Sequence, residues 1–331
     1  MPPVPPTRLQ SQMPTPESFV PVAITSRSGL DESVHFGAVV ALGPTGAIEF
    51  AAGDPHAIVY PRSSNKPMQA VAMVRAGLAL PPDLLALVCA SHDGTPMHTD
   101  GALRILAGAG LGDDALANTP SLPLDQAAAE AVLRAGGPRT PLLMNCSGKH
   151  SGMLATCVHN GWAHDASYLD PGHPLQLAIT QAVDELCEEP HAHIGVDGCG
   201  APAHAMSLAG LARAFRAIAS GAAGQAGNQV YAAMTDHPQM VGGERRDVTA
   251  FMRHVPGLLA KDGADGVFAA ALPDGRAVAL KIADGGDRAR PPLMVAALQA
   301  LGVDTSAVAA LVEERIMGHG RQVGVVRAIV P

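Results

Sequence analysis

Ser63 and Lys66 stand three residues apart in the segment RSSNKP, a spacing that could support acyl-transfer chemistry. Residues at i and i+3 are neighbours on a helical turn, and Pro67 is tolerated in the first turn of a helix. A lysine whose pKa is lowered by burial or by nearby cations can take the proton of a serine hydroxyl, which then attacks a carbonyl carbon. The segment therefore indicates a serine nucleophile with a lysine base, although an exposed helix start with a solvated lysine also fits these residues.

A second serine and a second lysine follow in the order found in penicillin-recognising serine enzymes, which combine S-x-x-K with a later serine loop and a K-T-G strand. Ser91 lies in the polar loop CASHDG, and Lys261 opens the triplet KDG before a strand-like segment. Taken alone, Ser91 could be a helix N-cap and Lys261 part of a surface turn. The chain contains only four lysines: Lys66, Lys149, Lys261 and Lys281. Their scarcity, together with the motif order, favours the functional interpretation.

Two cysteines lie in glycine-rich polar loops, NCSGKHSGM and GVDGCGAP. Thiolates are zinc ligands, and a structural zinc site has four nitrogen or sulfur ligands. Only Cys146 and Cys199 have suitable surroundings, and the residues that could complete the set are Lys149, His150 and Asp197. An incomplete set would leave an open coordination position, as in catalytic zinc sites. Alternatively, both thiols line an acyl-binding pocket whose glycines let backbone amides approach an oxyanion.

Strand-like segments lie at both ends of the chain, and helix-like segments lie between them. The strands are expected in a hairpin at 34–51 and at 266–272, 276–284 and 322–330, with a helix at 293–301. Apolar residues at helical spacing occupy much of 66–220. The pattern predicts an α+β protein whose antiparallel sheet is built from about 21–60 and 258–331, with an inserted helical lobe at about 66–220. The active-site cleft would lie between sheet and lobe.

Composition limits the partners of the protein. The 331-residue chain has a formal net charge of −8 and no run of lysine or arginine, which argues against nucleic acid and anionic membranes as partners. Residues 1–20 are rich in proline and lack the apolar segment of a signal peptide, so we expect a disordered arm before a single catalytic domain at 21–331. Five cysteines are an odd set for a disulfide framework, which favours a cytoplasmic location. A small-molecule substrate is expected.

Five segments together resemble the L-asparaginase II family of the Rhizobium type: RSSNKP at 62–67, CASHDG at 89–94, NCSGKHSGML at 145–154, GVDGCGAP at 195–202 and AKDGADGV at 260–267. The resemblance spans about residues 25–302, and NCSGKHSGM and VDGCGAP are its most specific motifs. It implies a fold similar to serine β-lactamases and serine-dependent glutaminases. It also implies hydrolysis of L-asparagine to L-aspartate and ammonia, and we expect a homodimer.

The resemblance implies roles at the positions that match its motifs. Four catalytic residues would form two Ser–Lys pairs: Ser63 with Lys66, and Ser91 with Lys261. Ser63 would be the nucleophile. Four further residues would surround the substrate: Arg62, Asn145, His150 and Asp197. Asp265 departs from the family pattern, which leads us to expect Glu there.

The resemblance also implies a zinc ion (Zn2+), held by Cys146, Lys149 and Cys199 together with water. Lysine is an uncommon zinc ligand because it must be neutral to donate its lone pair, so the metal itself would have to lower the lysine pKa. Cys146 and Lys149 are i and i+3, on one side of a helical turn, which makes joint coordination sterically reasonable. The ion would orient the substrate or a loop.

Other functions are compatible with the same residues. The serine could serve a glutaminase or a broader acyl hydrolase, including a β-lactamase-like one. A non-enzymatic protein that binds a metal or an amino acid is a further interpretation, but such a protein has no need of a nucleophile. A panel of substrates would separate these functions.

Overall fold

The computed structural model describes residues 14–330, so residues 1–13 of the expected disordered arm lie outside the described part of the chain. A 3-10 turn at Pro16–Ser18 leads into the first strand. The strands are β1 (Val20–Arg27), β2 (Leu30–Leu42), β3 (Ile48–Ala52), β4 (Ile58–Val59), β5 (His193–Val196), β6 (Pro202–Ser207), β7 (Leu259–Asp262), β8 (Val267–Ala271), β9 (Ala277–Ile282), β10 (Glu313–Gly318) and β11 (Arg321–Ala328).

The helices occupy mainly the middle of the chain. They are α1 (Lys66–Arg75), α2 (Pro82–Val88), α3 (Pro96–Gly108), α4 (Gln126–Arg134), α5 (Ser147–Asn160), α6 (Pro174–Cys187), α7 (Leu208–Ala219), α8 (Gly224–Asp236), α9 (Pro238–Gly242), α10 (Asp247–His254) and α11 (Arg290–Ala300). Short 3-10 turns lie at Arg62–Asn65, Asp113–Ala115, Ala166–Leu169 and Ser306–Leu311. None of the helices in the described part of the chain combines the length and apolar character needed to cross a bilayer.

The main sheet is antiparallel and joins strands from the two ends of the chain. Its order is β10-β11-β1-β2-β9-β8-β7, and β3 pairs with β2 beside this path. The strands β8 and β9 read VFAAA and AVALKI and are buried almost throughout, so they lack the polar–apolar alternation of a sheet with one solvated face. The α+β class, the hairpin and the sheet built from both terminal segments are confirmed.

The helical lobe extends further along the chain than the sequence predicts. Its expected end near residue 220 is too early, because α8, α9 and α10 carry the lobe on to His254. Two glycines in the first half of α8 give that segment a low helix propensity, which hides it from a pattern-based prediction. A small sheet of order β4-β6-β5 also lies within this region and is not predicted, since its strands are only two to six residues long.

The amphipathic helix α7 makes the most extensive contact between the lobe and the main sheet, and α8 and α10 also pack against β7. Helix α7 buries Leu211, Phe215 and Ile218 and packs against β2, β8 and β9. Helix α11 packs against β9, β11 and β2. The 3-10 turn Arg62–Asn65 lies against β7 and β8, so the first motif of the sequence meets the last one where lobe and sheet join.

Candidate active site

Ser91 lies between two buried lysines at the junction of the lobe and the sheet. Its Oγ is 3.2 Å from Lys66 Nζ and 3.0 Å from Lys261 Nζ. Lys66 is 1% exposed and Lys261 is fully buried, so bulk water does not compete for these contacts. A hydroxyl that meets two amines can accept a proton from one and donate its own to the other. The structure thus links three of the four expected Ser–Lys residues in one contact chain.

Three separate elements deliver these side chains. Lys66 is the first residue of α1, Ser91 lies in the loop after α2, and Lys261 lies on the edge strand β7. Ser64 Oγ donates a hydrogen bond to the Lys261 backbone oxygen at 2.9 Å. This bond fastens the turn that carries Ser63 to the strand that carries the second lysine.

Ser63 lies in the 3-10 turn Arg62–Asn65 and is partly buried. Lys66 directs its amine to Ala90 O and Ser91 Oγ rather than to Ser63, so the expected contact between the first serine and its lysine is not formed. Arg62 has a φ of +51°, in the left-handed region that non-glycine residues rarely adopt. Strained backbone of this kind concentrates at functional sites, which keeps this turn as the candidate position of the nucleophile.

Lys261 has the environment of a base. Burial lowers the pKa of Lys261 to about 8, against the opposing effect of Asp262, while Lys66 and Arg246 add to the lowering. Lys261 Nζ donates to Asp262 Oδ1 at 2.6 Å and to the Asp262 backbone oxygen at 2.7 Å. A lysine with this pKa is partly neutral at mildly alkaline pH, as proton abstraction requires.

Two arginines, one buried and one partly buried, lie beside the buried Asp262, and the sequence analysis does not identify them. Arg246 donates to the Asp262 carboxylate and, through its other nitrogen, to Ser91 O at 2.6 Å. Arg290 lies 4.0 Å from the same carboxylate. Burial alone would raise the pKa of Asp262, but the cations of Lys261, Arg246 and Arg290 hold it well below its usual range. The sequence feature that could have indicated this cluster is the acidic residue directly after Lys261, in a strand that the structure buries.

The second constellation gathers at the start of α5. Lys149 Nζ lies 3.2 Å from Cys199 Sγ, and the thiols of Cys146 and Cys199 interact. The interaction between the two thiols lowers the pKa of Cys199 and raises the pKa of Cys146. Burial opposes the charge on Lys149, but Cys199, Cys146 and Asp197 raise its pKa above the ordinary value. All three expected zinc ligands therefore meet in one buried cluster.

The donor set of this cluster fits a zinc ion. Bond lengths of about 2.3 Å to sulfur and about 2.05 Å to nitrogen separate two tetrahedral ligands by about 3.6 Å, a few tenths of an ångström more than the Lys149–Cys199 contact. His150 Nε2 is buried, and within residues 14–330 its one hydrogen-bonding neighbour is the Cys199 thiol. Across those same residues, no group of three or more His, Cys, Asp or Glu side chains could hold a metal. Zinc here would therefore require Lys149 as its third ligand, after loss of the lysine proton.

A small cavity of about 10 Å³ lies between the two constellations. Its lining includes Lys66 from the first constellation, Lys149 and Asp197 from the second, and Arg62. Arg62 Nε donates to Asp197 Oδ1 at 2.9 Å, and the same guanidinium pairs with Asp265. Arg62 also lines a neighbouring, mostly apolar cleft of about 340 Å³ beside β4 and β6. Arg62 therefore lines both the small cavity and the larger cleft.

Asn145 and His150 flank the thiols rather than the cavity. Cys146 Sγ donates to Asn145 Oδ1 at 3.1 Å, and His150 Nδ1 lies 2.7 Å from the Tyr168 hydroxyl. Burial lowers the pKa of His150 to about 4, so this ring is neutral at pH 7. Tyr168 is a buried partner that the sequence did not indicate, because it lies in a separate 3-10 turn.

A family model described as L-asparaginase II matches residues 23–328 of the chain. A solved structure of a probable glutaminase is 18% identical, with 82% of this chain and 87% of that chain aligned at a TM-score of 0.44. A β-lactamase from Mycobacterium bovis is 17% identical, with 80% of this chain and 94% of that chain aligned at a TM-score of 0.39. The native form of Mglu is 14% identical at a TM-score of 0.36, and the alignment spans 80% of this chain but only 62% of Mglu. No curated protein sequence matches the chain.

Proposed function

We propose that this chain, which belongs to the L-asparaginase II family, hydrolyses L-asparagine to L-aspartate and ammonia through serine–lysine acyl transfer. Membership of this family makes the chain an amide-hydrolysing enzyme. The observation that carries the proposed mechanism is the position of Ser91 Oγ, 3.2 Å from one buried lysine amine and 3.0 Å from another. Such an arrangement can move protons in both directions without bulk water.

In the acylation step, Ser63 Oγ attacks the carbon of the side-chain amide and passes its proton to Lys66, whose amine has to turn from Ala90 O to receive it. Lys66 follows Ser63 by three residues at the point where the 3-10 turn becomes α1, which keeps the two residues on neighbouring turns. The tetrahedral oxyanion is held by backbone amides of the surrounding loops. Collapse of this intermediate forms an aspartyl ester on Ser63 and breaks the C–N bond.

The leaving nitrogen needs one proton, and Ser91 is placed to supply it. Ser91 gives its hydroxyl proton to the nitrogen and recovers a proton from Lys66, so the Ser91 proton leaves with ammonia and the proton from Ser63 replaces it on Ser91. Lys261 is a second proton acceptor beside Ser91: when it takes the Ser91 proton, Ser91 takes one from Lys66, so the positive charge moves from one lysine to the other. Water then attacks the ester by the reverse route, which releases L-aspartate and restores the Ser63 hydroxyl.

Substrate recognition is proposed for the pair Arg62 and Asp197. Both side chains line the cavity that Lys66 also lines, and together they present one positive and one negative group. Because this cavity has room for about one water molecule, the substrate would enter by opening the Arg62–Asp197 ion pair. A free amino acid carries the complementary charges, so its α-carboxylate would replace Asp197 at Arg62 and its ammonium group would face Asp197. This charge pattern supports a zwitterionic substrate over an uncharged amide.

Zinc binding is proposed for Cys146, Lys149 and Cys199. Bound there, the ion supplies a fixed positive charge next to the substrate pocket. Asn145 and His150 support this cluster from either side, through the Cys146 thiol and the Tyr168 hydroxyl. Asp197 connects it to Arg62, so the cluster orients the substrate-binding pair while Ser63, Lys66, Ser91 and Lys261 carry the proton transfers.

The test uses two assays of the purified protein. Ammonia release is measured with L-asparagine and with L-glutamine, and ring opening is measured with a β-lactam. We expect kcat/KM to be highest for L-asparagine, and we expect Ser91→Ala, checked for an unchanged circular dichroism spectrum, to lose the activity. A higher kcat/KM for L-glutamine or for the β-lactam would show that L-asparagine is not the preferred substrate. Activity that survives in Ser91→Ala would show that proton transfer does not require Ser91.

A cytoplasmic homodimer is also proposed. All cysteines are free, which suits a reducing compartment. Val34 is 51% exposed and Phe36 is 48% exposed on β2, an apolar surface that association of two copies would cover. Light scattering on the purified protein should give the mass of two chains, and the mass of one chain would contradict the dimer.

A further inference from the structure

Lys261 Nζ has three hydrogen-bond acceptors, and two of them belong to Asp262. The distances are 2.6 Å to Asp262 Oδ1, 2.7 Å to the Asp262 backbone oxygen and 3.0 Å to Ser91 Oγ. An ammonium group has three N–H bonds, so protonated Lys261 satisfies all three acceptors at once. The arrangement uses the whole hydrogen-bonding capacity of the lysine.

Loss of one proton leaves two N–H bonds and a lone pair on the nitrogen. Neither Asp262 oxygen can donate, because one is a backbone carbonyl and the other belongs to an ionised carboxylate. Both remaining N–H bonds therefore stay directed at Asp262, and the lone pair faces the Ser91 hydroxyl, the one proton donor among the three partners. We propose that Asp262 is a positioning residue that aims the lone pair of neutral Lys261 at Ser91 Oγ.

The carboxylate of Asp262 is held from its other side. Arg246 donates to Asp262 Oδ2 and, at 2.6 Å, to the backbone oxygen of Ser91. The contacts form a closed ring through Ser91, Lys261, Asp262 and Arg246. Because Asp262 is only 3% exposed, this ring lies in a low-dielectric region where its hydrogen bonds are strong. Asp262 and Arg246 thus fix the serine loop against strand β7.

Charged and titratable groups face Lys261 from four elements. They are Lys66 at the start of α1, Cys89 after α2, Arg246 before α10 and Asp262 on β7. Burial raises the pKa of Cys89 to about 12, so its thiol is neutral at the pH of catalysis. Asp262 is the one anion in this set. Removal of its charge therefore leaves Lys261 among cations, which lowers the lysine pKa while the lone pair loses its direction.

The protonation of Lys261 can be measured without any enzymatic assay. With four lysines in the chain, lysine labelled with 13C at Cε gives four NMR signals, and Lys261→Arg removes and so assigns one of them. In Asp262→Asn we expect the Lys261 signal to titrate about one pH unit or more below its wild-type position. Asp247→Asn is the matched control, because Asp247 lies 3.7 Å from Arg290 in the same cluster but does not contact Lys261. We expect it to leave the Lys261 titration unchanged.

The kinetic readout rests on the proposed function. In Asp262→Asn the amide oxygen is drawn to Arg246, so the amide N–H groups face Lys261 Nζ and compete with Ser91 for the lone pair. We expect kcat to fall about 100-fold or more, with the acid limb of the pH–rate profile moved to lower pH. Asp262→Glu keeps the charge and is expected to retain the wild-type position of that limb with a reduced kcat.

The outcomes separate this inference from the proposed function. An unshifted Lys261 signal in Asp262→Asn, or an equal shift in Asp247→Asn, would show that Asp262 does not control Lys261. A shifted signal in a protein whose wild type releases no ammonia would support the positioning role and refute the asparaginase alone. Should Asp262→Asn fail to fold, as judged by circular dichroism, Asp262→Glu decides: a wild-type kcat in that variant would overturn the proposal.

Discussion

Lys149 and Cys199 form a buried contact in which the lysine nitrogen lies 3.2 Å from the cysteine sulfur, across 50 residues of sequence. A charged amine next to a thiol of lowered pKa is a stable pair in a site that water does not reach. The same two atoms are donors to a metal once the proton is lost. The zinc site that we propose would replace this ion pair with a metal complex.

We expect one zinc ion per chain in protein purified without chelators. Cys146→Ala and Cys199→Ala each remove a thiolate and should lose the metal, whereas Cys157→Ala and Cys187→Ala should keep it, because those two thiols lie elsewhere in the core. Elemental analysis of the four variants is the measurement. Full zinc content in Cys199→Ala, or no zinc in the wild type, would rule out the site.

Ser63→Ala should abolish turnover and leave the fold intact, since the hydroxyl forms the acyl-enzyme and contributes little to packing. A loss of kcat of about 10⁴-fold or more is expected for a nucleophile. Ser26→Ala on β1 is a control that removes the same hydroxyl far from the lysines. If Ser63→Ala retains more than about a tenth of the wild-type kcat, the nucleophile is another residue, and Ser91 is the next to test.

The rate should rise with pH through an apparent pKa near the value of about 8 set for Lys261 by its burial. The sign follows because a lysine accepts a proton only when neutral, and its neutral fraction grows as pH increases. The measured value belongs to the coupled lysines rather than to one residue. A rate that falls across this range would contradict a lysine base.

Lys66→Arg and Lys261→Arg should each be as damaging as the alanine variants, because arginine keeps the charge but does not deprotonate. Lys281→Arg is the control, since Lys281 donates only to backbone oxygens that a guanidinium can also reach. Steady-state kinetics on all three variants provide the comparison. Near-normal kcat in Lys66→Arg would make a metal-bound hydroxide the better candidate.

Arg62→Lys should raise KM for L-asparagine about tenfold with a smaller change in kcat, because it weakens a contact made equally in the ground and transition states. Lysine keeps the charge but loses the two-pronged geometry that suits a carboxylate. Arg27→Lys, in an exposed ion pair with Glu32, is the neutral comparison. An unchanged KM in the Arg62 variant would remove it from the binding pair.

The sequence indicates candidate site residues but not the contacts between them. Motif order indicates Ser63, Lys66, Ser91 and Lys261, but local spacing suggests that Lys66 meets Ser63. The structure directs Lys66 to Ser91, 25 residues away, because α1 and the loop after α2 pack together in the lobe. Helical spacing describes neighbours within one turn and contains no information about such a tertiary contact.

The charge ring around Lys261 could not be predicted for a related reason. From local sequence, Asp262 is predicted to be part of a K-D-G turn and Arg246 to be a surface arginine, because each is polar and lies near a glycine. The burial of Asp262 and the position of Arg246 beside it follow from the strand order, in which β7 is the edge of the main sheet and faces the lobe. Periodicity predicts strands such as β8 and β9, but which strand lies at the edge depends on pairing across the whole chain.

The Ser91–Lys261 contact spans 170 residues and joins the lobe to β7, a strand that is synthesised after the lobe. During synthesis, Ser63, Lys66 and Ser91 leave the ribosome well before β7 is complete. A growing chain therefore has the turn that carries Ser63 but lacks Lys261, the second lysine of the proton relay. Contacts of such long sequence separation form late, after the loop between them has closed. During refolding, catalytic activity should therefore return when the sheet closes, later than the helical signal of the lobe. The enzyme would then form its helices before it can act on its substrate.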